Sequence, residues 1–571
     1  MMNPMPFDDW LNKWKKGMVD SFDRRSFMQA ANSIAWQFFR QAASRPRLEG
    51  YGVNDAPRFR NNPFTLGVAS GDPLADSVVL WTRLAPDPLN GGGMPSQAMP
   101  VKWEVATDEN FRNVVQQGTE LARPELAHSV HIEAKWLKPN HVYYYRFKSG
   151  NELSPVGRTK TLPAHGSNVS EMAFAFASCQ QYEHGYYTAY QHMAKEDLDL
   201  VFHLGDYIYE YGPNQYLSPT GNVRPHNSPE VTTLLGYRNR YALYRSDEHL
   251  QSVHAAFPWV VTWDDHEVEN NYANIIPQKG QSVAAFIYRR AAAYQAYYEH
   301  MPLRRSHIPY GAYMQLYRNF SYGNLASFNV LDTRQYRHDQ ANGDGSKPHT
   351  YDSLNPARTM LGAGQEQWLL GNLYHSKTHW NVLAQQVFFC QRNYGTAAFP
   401  KYSMDSWDGY WAARQRIIDF AAYIQLKNMI ILTGDIHSNW ASNILTNFNN
   451  PHSRIIGAEF AGTSITSGGN GADKRKDTDR ILAQNPHIKF FNGNRGYVRC
   501  RVTPDNWQTD YRVVPFVTKP GADITTKASF VYEKGSDGIE EISSTIVPEG
   551  VRISDETEQD RERAHWDTGR N

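Results

Sequence analysis

Six short apolar runs lie between Met172 and Leu432, and each stops at a cluster of polar residues. Nothing else in the sequence restricts the fold as much. The runs are Met172–Ala177, Leu200–Leu204, Trp259–Trp263, Phe328–Leu331, Val382–Ala384 and Met429–Leu432. They are too short for buried helices and too continuous for half-exposed strands, so they read as strands covered on both faces. Segments with helical spacing lie between them, at Tyr187–Lys195, Ala284–Tyr298, Gln365–Tyr374 and Trp411–Leu426. Alternating strands and helices build an α/β core with a buried sheet, and such sheets gather ligands beyond the carboxyl ends of their strands.

Those ends are chemically loaded. In order they read Ser178-Cys179, Gly205-Asp206-Tyr207-Ile208-Tyr209, Asp264-Asp265-His266-Glu267, Asp332-Thr333-Arg334, Gln385-Gln386 and Thr433-Gly434-Asp435-Ile436-His437. Five of the six carry side chains that bind metals or phosphate, and only the Gln pair is merely polar. Taken singly, Cys179 reads as a core cysteine, Tyr209 as one of 34 tyrosines and Arg334 as the partner of Asp332. Taken together on one sheet edge, they read as a site. Asp264 competes with Asp265 for the same role, whereas His184 and His203 read as structural. The Gly-rich Ser467–Gly471 stretch lacks the Lys-Ser/Thr ending of a phosphate-cradling P-loop, and no Gly-x-Ser-x-Gly elbow marks a serine esterase.

The rest of the chain has a different texture. Residues 61–163 alternate apolar and polar side chains with a period of two, as at Val101, Trp103 and Val105 or Tyr143, Tyr145 and Phe147, which predicts a small all-β sandwich. Residues 1–60 read as a signal-like extension and linker. Within them Asp23-Arg24-Arg25-Ser26-Phe27-Met28-Gln29 precedes a moderately apolar stretch to Phe39 and resembles a twin-arginine export signal, which predicts a periplasmic or secreted protein. Residues 168–515 are expected to be the α/β unit that carries these strand ends, and 516–571, polar and rich in charge towards the end, are expected to be an extension with partial disorder. Lys plus Arg equal Asp plus Glu at 58 each, so no nucleic-acid or anionic-membrane partner is implied. No apolar run approaches the length of a membrane span. Three cysteines, Cys179, Cys390 and Cys500, do not form a disulfide framework.

The combination Gly205-Asp206-x-x-Tyr209, Asp265-His266-Glu267 and Gly434-Asp435-x-His437 resembles the calcineurin-like metallophosphoesterase signature, of which purple acid phosphatases are a variant. With Gly67–Pro73, Leu80–Leu84, Phe176–Cys179, Thr262–Asn271, Leu331–Arg337 and Glu459–Gly469, the chain is most similar to the PhoD family of alkaline phosphatases and phosphodiesterases over roughly residues 61–515. The resemblance implies a four-layer αββα catalytic domain behind the β-sandwich. It implies hydrolysis of phosphate esters by a hydroxide activated between two metals, with phospholipase D-like or nucleotide-directed phosphodiesterase activity as the nearest alternative, and a non-catalytic binding protein as the remote one. Asp206 would bridge the metals, with Cys179, Tyr209 and His437 completing the first site. Thiolate and phenolate together favour Fe3+ there. Asp265 and Asp435, with Asn270 as an additional candidate, would hold a second ion. Their oxygens favour Ca2+, with Mn2+, Mg2+ or Zn2+ as substitutes. His266 would act at the leaving group, Glu267 would fix the His266 tautomer, and Arg334 and Arg337 would neutralise the phosphate. The expected partner is a small-molecule phosphate ester.

Overall fold

A computed structural model describes residues 59–544 except Lys279 and Lys427. The twin-arginine-like segment and the charge-rich stretch from 545 onward lie outside the described residues. The β-rich leading part contains β1 (Val68–Gly71), β2 (Ser77–Arg83), β3 (Met99–Ala106), β4 (Val114–Ala122), β5 (Ser129–Lys135), β6 (Val142–Ser149), β7 (Glu152–Leu153) and β8 (Gly157–Lys160). The six apolar runs and their neighbours supply β9 (Met172–Ala177), β10 (Leu200–His203), β11 (Pro258–Val261), β12 (Arg318–Tyr322), β13 (Ala326–Val330), β14 (Ser346–Lys347), β15 (Trp380–Gln385), β16 (Tyr402–Ser403), β17 (Met429–Thr433), β18 (Asn439–Leu445) and β19 (Ile455–Ala461). The chain closes with β20 (Ile488–Asn492), β21 (Arg495–Val502), β22 (Asn506–Val514), β23 (Thr525–Glu533) and β24 (Ile539–Ser544).

Two large mixed sheets dominate. One has ten strands in the order β24-β23-β22-β21-β9-β10-β11-β1-β2-β5, and the other seven in the order β12-β13-β15-β17-β19-β18-β20. The centre of each is parallel: β9, β10, β11 and β1 in the first, β13, β15, β17 and β19 in the second. The pleat explains how one sheet serves two cores. In β9, Phe174 and Phe176 point into a core shared with Phe328, Val382, Ile430 and Phe460 of the other sheet. Ala175 and Ala177 point the opposite way, towards helical Tyr190, Tyr241 and Tyr294. On the far side of the seven-stranded sheet, Leu383 and Ile431 pack against Leu369, Leu370, Ile417 and Phe420 of two further helices. Bulky side chains thus fill the space between sheets, and small ones let helices approach closely.

Two boundaries differ from those read in the sequence. The 61–163 region does form a sandwich, in which Val101, Val105, Tyr145 and Phe147 face Val68, Val78, Leu80, Val130 and Ile132. One of its two layers, however, is β1-β2-β5, which is the end of the ten-stranded sheet and hydrogen-bonds onward to β11. The extension expected from 516 instead begins with two more strands of that sheet, β23 and β24. Ala528, Phe530 and Tyr532 alternate with polar neighbours and bury themselves in the inter-sheet core, a period-two pattern that the surrounding charge conceals.

The expected helices are present as Thr188–Met193, Val283–His300, Gly362–His375 and Trp411–Tyr423. Three others, Leu234–Arg245, Glu248–Ala256 and Thr478–Gln484, were not anticipated. The buried face of the first consists largely of Tyr237, Arg240, Tyr241, Tyr244 and Arg245, residues that do not register as an apolar stripe. All three cysteines are buried and unbridged. Among the described residues no helix is long and apolar enough to cross a membrane.

Candidate metal centre

The loaded strand ends do meet. The loops after β9, β10 and β11 face those after β13 and β17 across one edge of the stacked sheets. Within this space ligand atoms of Cys179, Asp206 and His437 lie within 4.8 Å of one another, as do those of Asp206, Asp265 and His266, and those of Asp264, Asp265 and Asp435. Asp206 belongs to the first two groups and Asp265 to the last two, so the three merge into one anionic patch.

The backbone is bent to make this possible. Cys179, Asp206, Asp435 and His437 all adopt left-handed conformations, with φ of 58°, 56°, 64° and 48°. For residues with a Cβ this region is sparsely populated and costs about 1–3 kcal/mol each, and it persists only where the surroundings enforce it. The enforcement is visible. The N–H of Cys179 donates to the carbonyl of Gly205 at 3.1 Å, and Gly434 N–H donates to the Gln386 carbonyl at 2.8 Å. Gly205 has φ of 111°, and a Cβ there would lie 2.4 Å from Cβ of Asp264, so glycine is required for these loops to abut.

Tyr209 ties the first group together. Its hydroxyl lies 2.9 Å from Oδ2 of Asp206 and 3.1 Å from Nε2 of His437, and Ser467 Oγ approaches it at 2.7 Å. Asp206 Oδ1, Asp264 Oδ2 and Asn270 Nδ2 are buried with no hydrogen-bond partner among the described residues. Burial, then the neighbouring carboxylates of Asp265, Glu267 and Asp435, push Asp206 well above the usual carboxylate range. Burial, with the same mutual repulsion, lifts Asp435 to about 6. Burial and the nearby Asp206 carboxylate likewise push up the Cys179 thiol and the Tyr209 hydroxyl. A buried cluster of acids with orphaned oxygens is unfavourable by itself and becomes favourable around cations. The residues present therefore fit a metal centre. Both Asp264 and Asp265 contact Arg334, but Asp265 belongs to two of the ligand-atom groups and Asp264 to one, which favours Asp265 as the ligand of the adjacent pair.

Three expectations need correction. Arg334 and Arg337 do not present themselves to a substrate. Both are fully buried, and Arg334 contacts Asp264, Asp265, Asp405 and Asp435 while Arg337 donates to Asp405 at 2.7 Å. They neutralise and space the acids, because a carboxylate packed against these needs a counter-charge. Nor does Arg334 pair through its guanidinium with Asp332, which accepts its backbone N–H instead. Glu267 does not hold His266. It lies beneath the loops and accepts the backbone N–H groups of Asp206, Tyr207 and Asp264. The partner of His266 is Glu210, whose Oε2 is 2.8 Å from Nδ1 and whose Oε1 accepts Asn270 N–H at 2.8 Å.

Glu210 and Asp405 were not singled out in the sequence, and Ser467 entered only as the first residue of the Gly-rich stretch. Glu210 directly follows the Asp-x-x-Tyr motif, and that adjacency was the one available signal. Burial opposes a charged His266, yet Glu210, Asp265 and Asp206 together raise it well above the usual histidine value. Burial disfavours a charged Asp405 too, but Arg334 and Arg337 outweigh it and hold Asp405 well below the usual carboxylate range.

Comparison with known proteins gives a consistent picture. The PhoD-like phosphatase model matches residues 174–511, and the PhoD-like phosphatase N-terminal domain model matches residues 51–163. Alkaline phosphatase D of Bacillus subtilis (strain 168) is 67% identical over 561 residues, covering 98% of this chain and 96% of that protein. A solved structure described as that of PhoD is 70% identical, with a TM-score of 0.89, over 90% of this chain and 98% of its own.

Proposed function

The chain belongs to the PhoD-like phosphatase family and is a phosphoric ester hydrolase, and from that premise we propose that it works through a pair of unlike metal ions in the anionic patch. One observation carries the reading: three overlapping groups of ligand atoms, each within 4.8 Å, that share Asp206 and Asp265. Cys179, Asp206, Tyr209 and His437 would hold Fe3+, and Asp206, Asp265, Asn270 and Asp435 would hold Ca2+. Such a pair supplies a nucleophile from water near neutral pH and charge to stabilise the phosphoryl oxygens. The two facing sheets with helices outside them support the four-layer metallophosphoesterase arrangement of the fold.

The protein's own groups do the rest. Tyr209 would hold such an ion as its phenolate, the form that binds a highly charged cation. Glu210 fixes the His266 ring through Nδ1 and sustains its positive charge, so Nε2 is the atom that passes a proton to the departing oxygen. Arg334 keeps Asp264, Asp265 and Asp435 apart at fixed spacing. We read residues 61–163 as a supporting domain and residues 23–29 as an export address.

The test is elemental analysis of purified protein beside hydrolysis of aryl phosphate mono- and diesters. The reading requires about one iron and one calcium per chain, a visible tyrosinate-to-iron absorption, and loss of that absorption in Tyr209→Phe. Protein that takes up no metal after reconstitution would refute it.

A further inference from the structure

With Arg334 and Arg337 consumed by carboxylates, a protein contact to the substrate's phosphate beyond the metal pair must come from another group, and Arg392 is a buried arginine with an unpartnered nitrogen among the described residues. Arg392 is 4% exposed. Its guanidinium sits among three rings, 4.0 Å from the centroid of Phe388, 4.7 Å from Tyr394 and 4.8 Å from Trp440. Its Nε is buried without a hydrogen-bond partner among the described residues. The adjacent carboxylate is already committed: Asp408 gives Oδ1 to Arg414 at 2.6 Å and Oδ2 to the backbone N–H of Arg392 at 2.9 Å. Arg240 and Arg414 also have unpartnered nitrogens, but each guanidinium is anchored through Nη1. Arg240 donates to the carbonyls of Tyr209 and Tyr211, and Arg414 to Asp408 and the Phe389 carbonyl. Aromatic faces stabilise a guanidinium while leaving its in-plane N–H groups to an oxyanion.

The position suits a substrate contact. Trp440 lies three residues beyond His437, and its Nε1 donates to Ser438 at 2.9 Å. Phe388 lies two residues beyond Gln386, whose carbonyl accepts the N–H of Gly434 next to Asp435. Trp440 also meets Phe491 edge-on at 4.6 Å, and half-buried Arg475 covers that ring at 5.4 Å. Burial raises the Tyr394 hydroxyl, and the charges it senses are those of Arg392, Arg475, Asp408 and Asp435. Of these, Asp435 belongs to the metal centre.

We propose that Arg392, assisted by Arg475, forms a phosphate-binding subsite beside the metal centre. The proposal rests on the functional reading above. The phosphate could be the reacting group or a second one carried on the leaving group, and two substrates separate these: phenyl phosphate and 1,4-phenylene bisphosphate. Full-length, metal-loaded Arg392→Gln, Arg392→Lys and Arg475→Gln would be compared with wild type for KM, kcat, competitive inhibition by inorganic phosphate, and metal content.

The subsite predicts that Arg392→Gln keeps its metals and raises KM and the phosphate inhibition constant together by roughly tenfold or more, the scale of a lost charge-assisted hydrogen bond. Arg392→Lys should recover part of the loss, which a packing role of the ring cage would not produce. A rise with both substrates identifies the reacting phosphate, and a rise with the bisphosphate alone identifies the second. Constants within twofold of wild type on both substrates would overturn the proposal. If the Arg392 variants do not fold, Arg475→Gln decides by the same criteria. Wild-type protein that loads metal but hydrolyses neither ester would count against the functional reading instead, and calorimetric binding of inorganic phosphate to the wild type and Arg475→Gln would still decide the subsite.

Discussion

At the scale of single residues, the site is made from side chains whose neighbours do most of the tuning. Glu210 is the clearest case, because it contacts His266 and the backbone of Asn270 but none of the reacting atoms. Glu210→Gln should retain both metals and lower kcat by about 10–100-fold, the usual cost of removing such a supporting partner. The loss should be larger for esters with poor leaving groups, since these need the proton most. A uniform loss across leaving groups would assign Glu210 a purely structural role. Gly205→Ala forces a Cβ to within 2.4 Å of Asp264 Cβ at a φ of 111°; we expect soluble protein with impaired metal content, measurable by elemental analysis. The strand-end Asp, His, Cys and Tyr residues were legible in the sequence because chain order alone brings strand ends to one edge. Glu210, Asp405 and Arg392 were not, because their roles depend on which charges meet across the fold. Arg334 and Arg337 misled for the same reason, as spacing cannot tell a guanidinium facing substrate from one enclosed by four carboxylates.

At the scale of elements, apolar runs and helical spacing located β9, β10, β11, β13, β15 and β17 and four of the helices. The failures share a cause. The Leu234–Arg245 helix buries Tyr and Arg through hydrogen bonds, such as those of Arg240 to main-chain carbonyls, so its inward face looks polar. Strand β23 sits in a charged stretch yet places Phe530 against Phe490 and Tyr511. Phe530→Ala should therefore cost about 3–5 kcal/mol, as for large-to-small changes in a filled core. Chemical denaturation would measure this, and a change below about 1 kcal/mol, the level of ordinary surface substitutions, would make β23 peripheral.

At the scale of the whole molecule, stability should depend on acid and on metal. His131 is buried against the carbonyls of Tyr298 and Met301, and burial lowers it to about 4. His487 is lowered to about 4 for the same reason. A histidine that is neutral when folded and protonates near 6.5 when unfolded contributes stability above pH 6.5, lost as pH falls towards 4, at up to about 1.4 kcal/mol per pH unit. His131→Gln should flatten the fall of Tm between pH 6.5 and 4, and an unchanged slope would remove His131 from the account. Chelation should lower Tm as well, by an amount set by the metal affinity.

The order of strands in the ten-stranded sheet bears on how the protein can be made. Cys179 and His437 are 258 positions apart in the chain, and His437 is held from behind by Arg495, which donates to its carbonyl at 2.6 Å. β9, which leads into Cys179, is flanked on one side by β21, which begins at Arg495. A nascent chain thus exposes thiol, phenol and carboxylates long before the residue that braces the last of them has been synthesised. Cation capture is therefore expected to come late in biogenesis. A chain released before β21 should emerge from translation without stably bound metal, however much of the ligand set it already contains.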